Sequence, residues 1–334
     1  MDELRMAVIG VGRIGLVHAE NLARRVGHAR LVAVTTSKQE GAIQVRHLPG
    51  EVKVFPTLEQ LLAGQRLDAV VVASSTAAHV ENVERCAAAG LHVFCEKPLA
   101  LTVEGCDRAA AAVTKAGVKL MIGHVRQFDS GCVEAKRSID SGAIGQPVVY
   151  RAISGDVDPP LPEFADPDVS GGLILDSMYH DIYLGRWLMA DDITRVYGEG
   201  DALIDEGVRS VGDVDNAVVS LRFAGGAMGT LTASRVTRYG HDLRAEVIGD
   251  EGAVQIGYLR QTPVRLLDQR GVHHDMARTT AERMGEALVA ELQAFVDCVI
   301  HDTDSPVTFR DGRATVEVAV AATRSIHSGE PVDL

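Results

Sequence analysis

With 334 residues the chain exceeds what one hydrophobic core usually supports, so two domains are expected, and 46% apolar with 24% charged residues excludes a disordered or fibrous protein. Forty-six Asp and Glu against 33 Lys and Arg give a formal charge of −13 with no basic cluster, which argues against nucleic acid and anionic membrane as partners. Cys86, Cys95, Cys106, Cys132 and Cys298 lie far apart and imply neither disulfide frame nor metal site, while Met1 to Arg5 lead straight into a strand, so reduced thiols in a cytoplasm are expected, with no signal peptide or membrane span.

In chain order, short β-branched runs predict strands at Arg5–Gly10, Leu31–Thr35, Val52–Phe55, Asp68–Ala73, His92–Cys95 and Lys119–Ile122, with helical stretches between them. This is the pattern of βαβ units around a parallel sheet. Gly10-Val11-Gly12-Arg13-Ile14-Gly15 follows the apolar strand and opens a helix, the context that a dinucleotide fingerprint requires. Gly10 permits the tight turn, Gly12 lets a pyrophosphate approach the backbone, and Gly15 lets helix and strand pack closely. The helix N-terminus, Arg13 and Ile14 included, offers N–H donors to the anion. A purely structural glycine turn is the alternative.

About twenty residues further on, Thr35-Thr36-Ser37-Lys38 stands where a Rossmann acid would bond an adenosine ribose. The hydroxyls of Thr36 and Ser37 and the ammonium of Lys38 suit a 2′-phosphate, which favours NADP over NAD, although Glu40 could still reach a ribose. The helix Thr57–Ala63 begins with Thr57 and Gln60 as reciprocal caps. Ser74, Ser75 and His79 follow the fourth strand along the same crevice, with an ordinary N-cap as the competing reading. Glu96-Lys97-Pro98 ends the fifth strand, where a lysine at the carboxyl end of a parallel strand faces the ligand crevice and proline fixes φ.

Beyond a helix near Ser130–Ser141 the texture changes to alternating strands. Asn216–Phe223 and Ala227–Val236 flank Ala224-Gly225-Gly226, and Leu243–Ile248 and Ala253–Ile256 flank Gly249-Asp250-Glu251-Gly252, so two antiparallel hairpins are expected. Long helices are predicted at about Gly171–Met189, Ala281–His301 and Gly312–Ser328. The fold class is therefore α/β, with a Rossmann dinucleotide-binding domain over residues 1–123. An α+β substrate domain with a large, mostly antiparallel sheet covers 124–334, and its last helix is free to pack back on the first domain. Asp176-Ser177-Met178-Tyr179-His180 sets a carboxylate and an imidazole four residues apart, on one helix face. Asp181 is a rival carboxylate, and a hydrogen-bonded structural histidine is the alternative.

In order and spacing, Gly10-x-Gly12-x-x-Gly15, Glu96-Lys97-Pro98 and Gly171-Gly172-x-x-x-Asp176-x-x-x-His180-Asp181 resemble the glucose-fructose oxidoreductase and inositol dehydrogenase (Gfo/Idh/MocA) family over nearly the whole chain. Toward its inositol 2-dehydrogenase branch the likeness extends to Arg126-Gln127-Phe128-Asp129-Ser130-Gly131, Gly212-Asp213-Val214-Asp215, Ser234-Arg235 and Tyr239-Gly240-His241-Asp242. The resemblance implies that Lys97 bonds the reacting hydroxyl, Asp176 orients substrate and base, and His180 takes the hydroxyl proton while hydride leaves for nicotinamide. It also implies that Arg126, Asp156 and Tyr239 face the substrate, and that Glu96 and Lys97 count among the cofactor contacts. Imidazole titrates near neutrality and suits the base.

The chain departs from that branch at Met284 and Leu288, where aromatic hydroxyls are usual, and at Gln127 and Gly155, where arginine is common. Such a pocket pairs fewer hydroxyls of an inositol. The implied activity is NAD(P)-dependent hydride transfer at a secondary hydroxyl of a cyclic polyol or sugar, inositol-like or pyranose. The alternatives are a non-catalytic dinucleotide-binding sugar or redox sensor, and a lyase or glycosidase working by transient oxidation. A homo-oligomer, dimer or tetramer, is implied by the resemblance.

Overall fold

The structure, a computed structural model, describes residues 3–157, 165–257, 265–269, 271–274, 277 and 279–334. Two units pack internally: Met1–Val125 with Glu286–Val316, and Arg126–Gly285 with Glu317–Leu334.

In the first unit the chain runs β1 (Leu4–Ile9), α1 (Arg13–Arg24), β2 (Ala29–Thr35), α2 (Gln39–Val45), β3 (Lys53–Phe55), α3 (Leu58–Gly64), β4 (Ala69–Val72), α4 (His79–Ala88), β5 (His92–Glu96), α5 (Val103–Ala116) and β6 (Leu120–Gly123). The sheet order is β3-β2-β1-β4-β5-β6 and every pair is parallel, the Rossmann arrangement. Strand order reverses beside β1, so the ligand crevice of such a sheet opens at the carboxyl ends of β1 and β4. Met6, Ala7, Val8 and Val70, Val71, Val72 are fully buried, because helices cover both faces of a parallel sheet and leave no solvent side for alternation. Thr57 Oγ1 caps α3 by accepting from the amide of Gln60 at 3.3 Å, half of the expected reciprocal pair.

The second unit contains α6 (Ser130–Asp140), β7 (Pro147–Gly155), α7 (Pro167–Ser170), α8 (Tyr179–Met189), β8 (Ile193–Asp201), α9 (Glu206–Ser210), β9 (Asn216–Phe223), β10 (Met228–Ser234), β11 (Asp242–Gly249), β12 (Ala253–Ile256), a small β13–β14 ribbon (Arg265–Asp268 and Gly271–His274) and β15 (Val332–Asp333). Its seven-stranded sheet has the order β12-β11-β7-β10-β9-β8-β15, antiparallel at every pair except β7–β10. Both expected hairpins form, with Arg222 opposite Met228 and Ile248 opposite Ala253. Period-two burial is clear in β9, where Ala217, Val219, Leu221 and Phe223 point inward and Val218, Ser220 and Arg222 outward.

One sequence expectation differs from the structure, and one helix carries an unexpected turn. The helix predicted over Gly171–Met189 runs without a break over 172–189, with one π turn, Ile174–Met178, set inside it ahead of α8, while the short α7 ends at Gly171 with φ +86° and Gly172 has φ +72°. Two successive residues in the left-handed region keep α7 from continuing into it. A Cβ on Gly172 would lie 2.5 Å from Asp213 Oδ1, and this close approach lets Asp213 accept from the amide of Leu173 at 2.9 Å. The difference concerns α10 (Thr280–Ile300), which follows the second-half strands in sequence; α11 (Phe309–Ser328) is the last helix, expected to be free to pack back on the first domain. From Glu286 to Val316 they belong to the first unit: Gln293 accepts from the amide of Gly27 at 2.7 Å, and Phe295 packs edge-on against Phe94 at 5.9 Å.

Asp215 organises the loop after β8. It is fully buried and accepts from the amides of Leu203, Ile204 and Asp205 at 2.7–2.8 Å. Burial pushes its carboxyl up, but these amide bonds outweigh burial and hold it below the usual range. A carboxyl with a lowered folded pKa stabilises the fold above its unfolded pKa and loses that contribution as pH falls through the folded value. Asp215→Ala is therefore expected to cost about 2–4 kcal/mol in urea unfolding at neutral pH. The gap between parent and variant should shrink in strongly acidic buffer.

Candidate active site

The glycine turn between β1 and α1 fits a dinucleotide on three counts. Gly10 has φ +89°, and a Cβ there would meet Ser74 Cα at 2.8 Å. A Cβ on Gly15 would lie 1.9 Å from Gly10 O, so only glycine lets the helix sit this close to the turn. A Cβ on Gly12, by contrast, would meet nothing within 4 Å, and α1 has no side-chain cap. Open space in front of uncapped amides at a helix N-terminus is what a pyrophosphate needs. Arg13 is exposed and Ile14 half-buried at that terminus. At the end of β2, Thr36 Oγ1 accepts from the amide of Lys38 at 3.1 Å and donates to its carbonyl at 3.3 Å, while Ser37, Lys38 and Glu40 are exposed.

The ends of β4 and β5 are tied together. Ser74 is half-buried and accepts from Asn82 at 3.0 Å, and Ser75 is exposed. His79 is 2% exposed, with Nδ1 2.8 Å from Pro98 O and Nε2 3.1 Å from Ser74 O. Its ring is thus taken up in bracing the turn after β5 against the turn after β4. Burial pulls its pKa down, against the two carbonyls. Lys97 is half-buried at the end of β5 and is followed by a cis peptide to Pro98. Glu96 is buried, with Oε1 2.6 Å from His18 Nε2 and Oε2 accepting the amide of Lys97 at 3.1 Å. Burial raises its pKa, but His18 and Lys97 reverse the sign and keep it below the usual carboxylate range, so His18 donates.

In the second unit the candidate residues lie in three polar groups. Asp176, on the π turn, is 3.4 Å from Arg235 Nη1, and Arg235 also reaches Asp213 at 3.2 Å. Arg235 is buried, so one guanidinium holds both carboxylates. Burial nevertheless raises the pKa of Asp213. His180 is half-buried at the start of α8, its ring edge-on to Tyr179 at 6.3 Å. Asp156 accepts from Ser177 Oγ at 3.0 Å and lies 3.3 Å from His241 Nε2. Burial pushes the Asp156 carboxyl up, but His241 and Ser177 bring it below the usual range.

Arg126, the third expected substrate contact, is buried and pairs with Asp181 while donating to Ser154 at 2.7 Å. Burial raises the Asp181 carboxyl despite that guanidinium. The Arg126 guanidinium is therefore engaged within the unit. Tyr239 is 62% exposed and donates to Asp242 Oδ2 at 2.8 Å. Among the departures from the inositol branch, Gln127 accepts from Tyr183, and Met284 and Leu288 are buried.

Two family models cover most of the chain: an oxidoreductase family with an NAD-binding Rossmann fold over residues 4–124, and the GFO/IDH/MocA C-terminal domain over 132–255. The chain is 38% identical to scyllo-inositol 2-dehydrogenase (NAD(+)) of Bacillus subtilis, over 99% of this chain and 96% of that one. The chain belongs to the Gfo/Idh/MocA oxidoreductase family. It is also 36% identical to myo-inositol 2-dehydrogenase of Thermotoga maritima, over 99% of this chain and 98% of the relative. Scyllo-inositol dehydrogenase from Lactobacillus casei, solved with bound NAD(H) and scyllo-inositol, superposes with a TM-score of 0.92 at 27% identity, covering 99% of both chains.

Four polar residues of this oxidoreductase escape the motif reading. His18 sits three residues after Gly15, on the face of α1 turned to the sheet, where a buried imidazole must find a partner. Glu291 falls within the apolar stripe Leu288, Leu292, Phe295 and Val299 of α10, a position where an acid is out of pattern. Asp213 and Arg235 stand in motifs noted for resemblance, but only the fold joins them to Asp176.

The glycine geometry separates binding from packing. Gly15→Ala is expected to lower stability by about 2 kcal/mol or more through overpacking, seen as a fall in Tm. Gly12→Ala is expected to leave Tm unchanged and to weaken dinucleotide binding in calorimetric titration.

Proposed function

We propose that the oxidoreductase oxidises a ring hydroxyl of an inositol, with Lys97, Asp176 and His180 as its catalytic residues. The observation that carries this reading is full-length likeness to proteins named as inositol 2-dehydrogenases, combined with a turn shaped for a dinucleotide. When bound, NAD(P) supplies the hydride acceptor. Lys97, at the carboxyl end of β5, stabilises negative charge developing on the reacting oxygen. His180 accepts the hydroxyl proton, and Asp176, held by Arg235, orients substrate and base. The gaps left at Gln127, Gly155, Met284 and Leu288 favour a substrate that leaves some hydroxyls unpaired.

For the cofactor, Thr36 supports NAD over the NADP preference expected from sequence. Its hydroxyl is already satisfied by Lys38 backbone atoms, which leaves Ser37 and Lys38 alone to meet a 2′-phosphate. Exposed Glu40 in the first turn of α2 suits a ribose diol. Initial rates of nicotinamide reduction on myo-, scyllo- and D-chiro-inositol and glucose, with NAD and NADP in parallel, test both points. An inositol with NAD is expected to react fastest, and Lys97→Met and His180→Asn to lower kcat by about 100-fold or more. Unreduced cofactor across the panel, or variants as fast as the parent, would reject the reading.

The outward face of the seven-stranded sheet carries Tyr197, Val218 and Met228, all exposed. Apolar side chains on an open sheet face support a homo-oligomer through that face. Light scattering is expected to give the mass of two or four chains; a monomer at micromolar concentration would refute it.

A further inference from the structure

We propose that His18, Glu96 and Glu291 form one buried proton-sharing cluster in which Glu291 is a neutral acid, making Glu291 a positioning residue for Lys97 through Glu96. The second half of this statement rests on the reading of Lys97 as catalytic; the first does not.

The three side chains come from α1, the end of β5 and the middle of α10, and a donor atom from each lies within 4.8 Å of the others. His18 and Glu291 are fully buried and Glu96 is 8% exposed. Apolar rings close around them: Phe94 meets the His18 ring edge-on at 5.5 Å, and Phe295 meets Phe94. Glu96 has its donors, His18 Nε2 on one oxygen and the amide of Lys97 on the other. Glu291 has none, since both of its carboxyl oxygens are buried without a hydrogen-bond partner.

Two carboxylates this close cannot both be charged in an apolar setting, and the member with donors keeps the charge. Burial, then the charge on Glu96, raises the affinity of Glu291 for a proton. The groups facing it are His18 from α1 and Glu96 from β5, so the two carboxyls share one proton as a unit rather than as two acids. A neutral Glu291 has one O–H to donate toward Glu96. That bond would fix the carboxylate whose other oxygen holds the Lys97 amide. The rival is a divalent cation on the same three side chains. The 2.6 Å between His18 Nε2 and Glu96 Oε1 is a hydrogen-bond length, and a proton satisfies it without an ion.

The test compares E291Q, which keeps the shape and neutrality of the protonated acid, with E291A in the full-length enzyme. Infrared spectra in neutral buffer are expected to show a protonated-carboxyl band that shifts when glutamate is labelled with heavy carbon, a readout on the parent that needs no variant to fold. E291Q should abolish that band and keep kcat, KM for cofactor and Tm close to the parent. E291A should lower kcat by about 10-fold or more with cofactor KM little changed, the mark of a misplaced lysine. Absence of the band, its survival in E291Q, E291Q as slow as E291A, or one divalent ion per chain that E291Q loses would each overturn the proposal. If Lys97→Met is fully active, the positioning role falls with that reading, while the band still reports Glu291 by itself.

Discussion

The hydrogen bonds on the buried carboxylate of Glu96 constrain the first unit more than any motif does. One oxygen takes His18 from α1, the helix that opens at the glycine turn, and the other takes the amide of Lys97 at the end of β5. Burying a carboxylate is costly unless donors replace water, so these two contacts are conditions of its burial. Their consequence is mechanical. The helix that presents amides to a dinucleotide and the strand that presents the lysine become parts of one frame, which His79 braces through Pro98 and Ser74. Rigid placement of this kind is what the role proposed for Lys97 requires, since a fixed lysine meets developing charge without reorganisation.

The second unit uses the same device with opposite sign. A buried guanidinium, Arg235, sits between Asp176 on the π turn and Asp213 on the loop before β9. The left-handed glycines Gly171 and Gly172 allow that turn to form, and Asp213 in turn secures it by accepting the Leu173 amide. A π turn set inside the helix at Asp176, just before His180, is a local cost that places two polar side chains at a defined point of an otherwise apolar helix. Arg126 is spent on Asp181 and Ser154 and serves the packing of this unit.

Much of this was legible because it rests on short-range chemistry. Gly10, Gly12 and Gly15 have distinct steric reasons that spacing alone reveals, and the β9–β10 and β11–β12 hairpins follow from turn residues between alternating strands. Periodicity carried the helix over 172–189, where the apolar pattern of Leu173, Ile174, Leu175 and Met178 runs on, but it gave no sign of the π turn Ile174–Met178 within it. Long-range packing was legible only for the last helix: the parallel β7–β10 pair and the grouping of α10 from Glu286 onward with the first unit depend on contacts distant in sequence. Spacing also gives no sign that the Thr36 hydroxyl bonds the backbone of Lys38.

In the proposed chemistry a hydrogen on the carbon bearing the reacting hydroxyl passes directly to the cofactor while the chain's own residues manage the proton. Following an inositol deuterated at that carbon tests it most directly. A primary isotope effect on kcat/KM with the deuterium recovered at nicotinamide C4 is the predicted result; deuterium released to water, or retained in a product formed without net cofactor reduction, would contradict it.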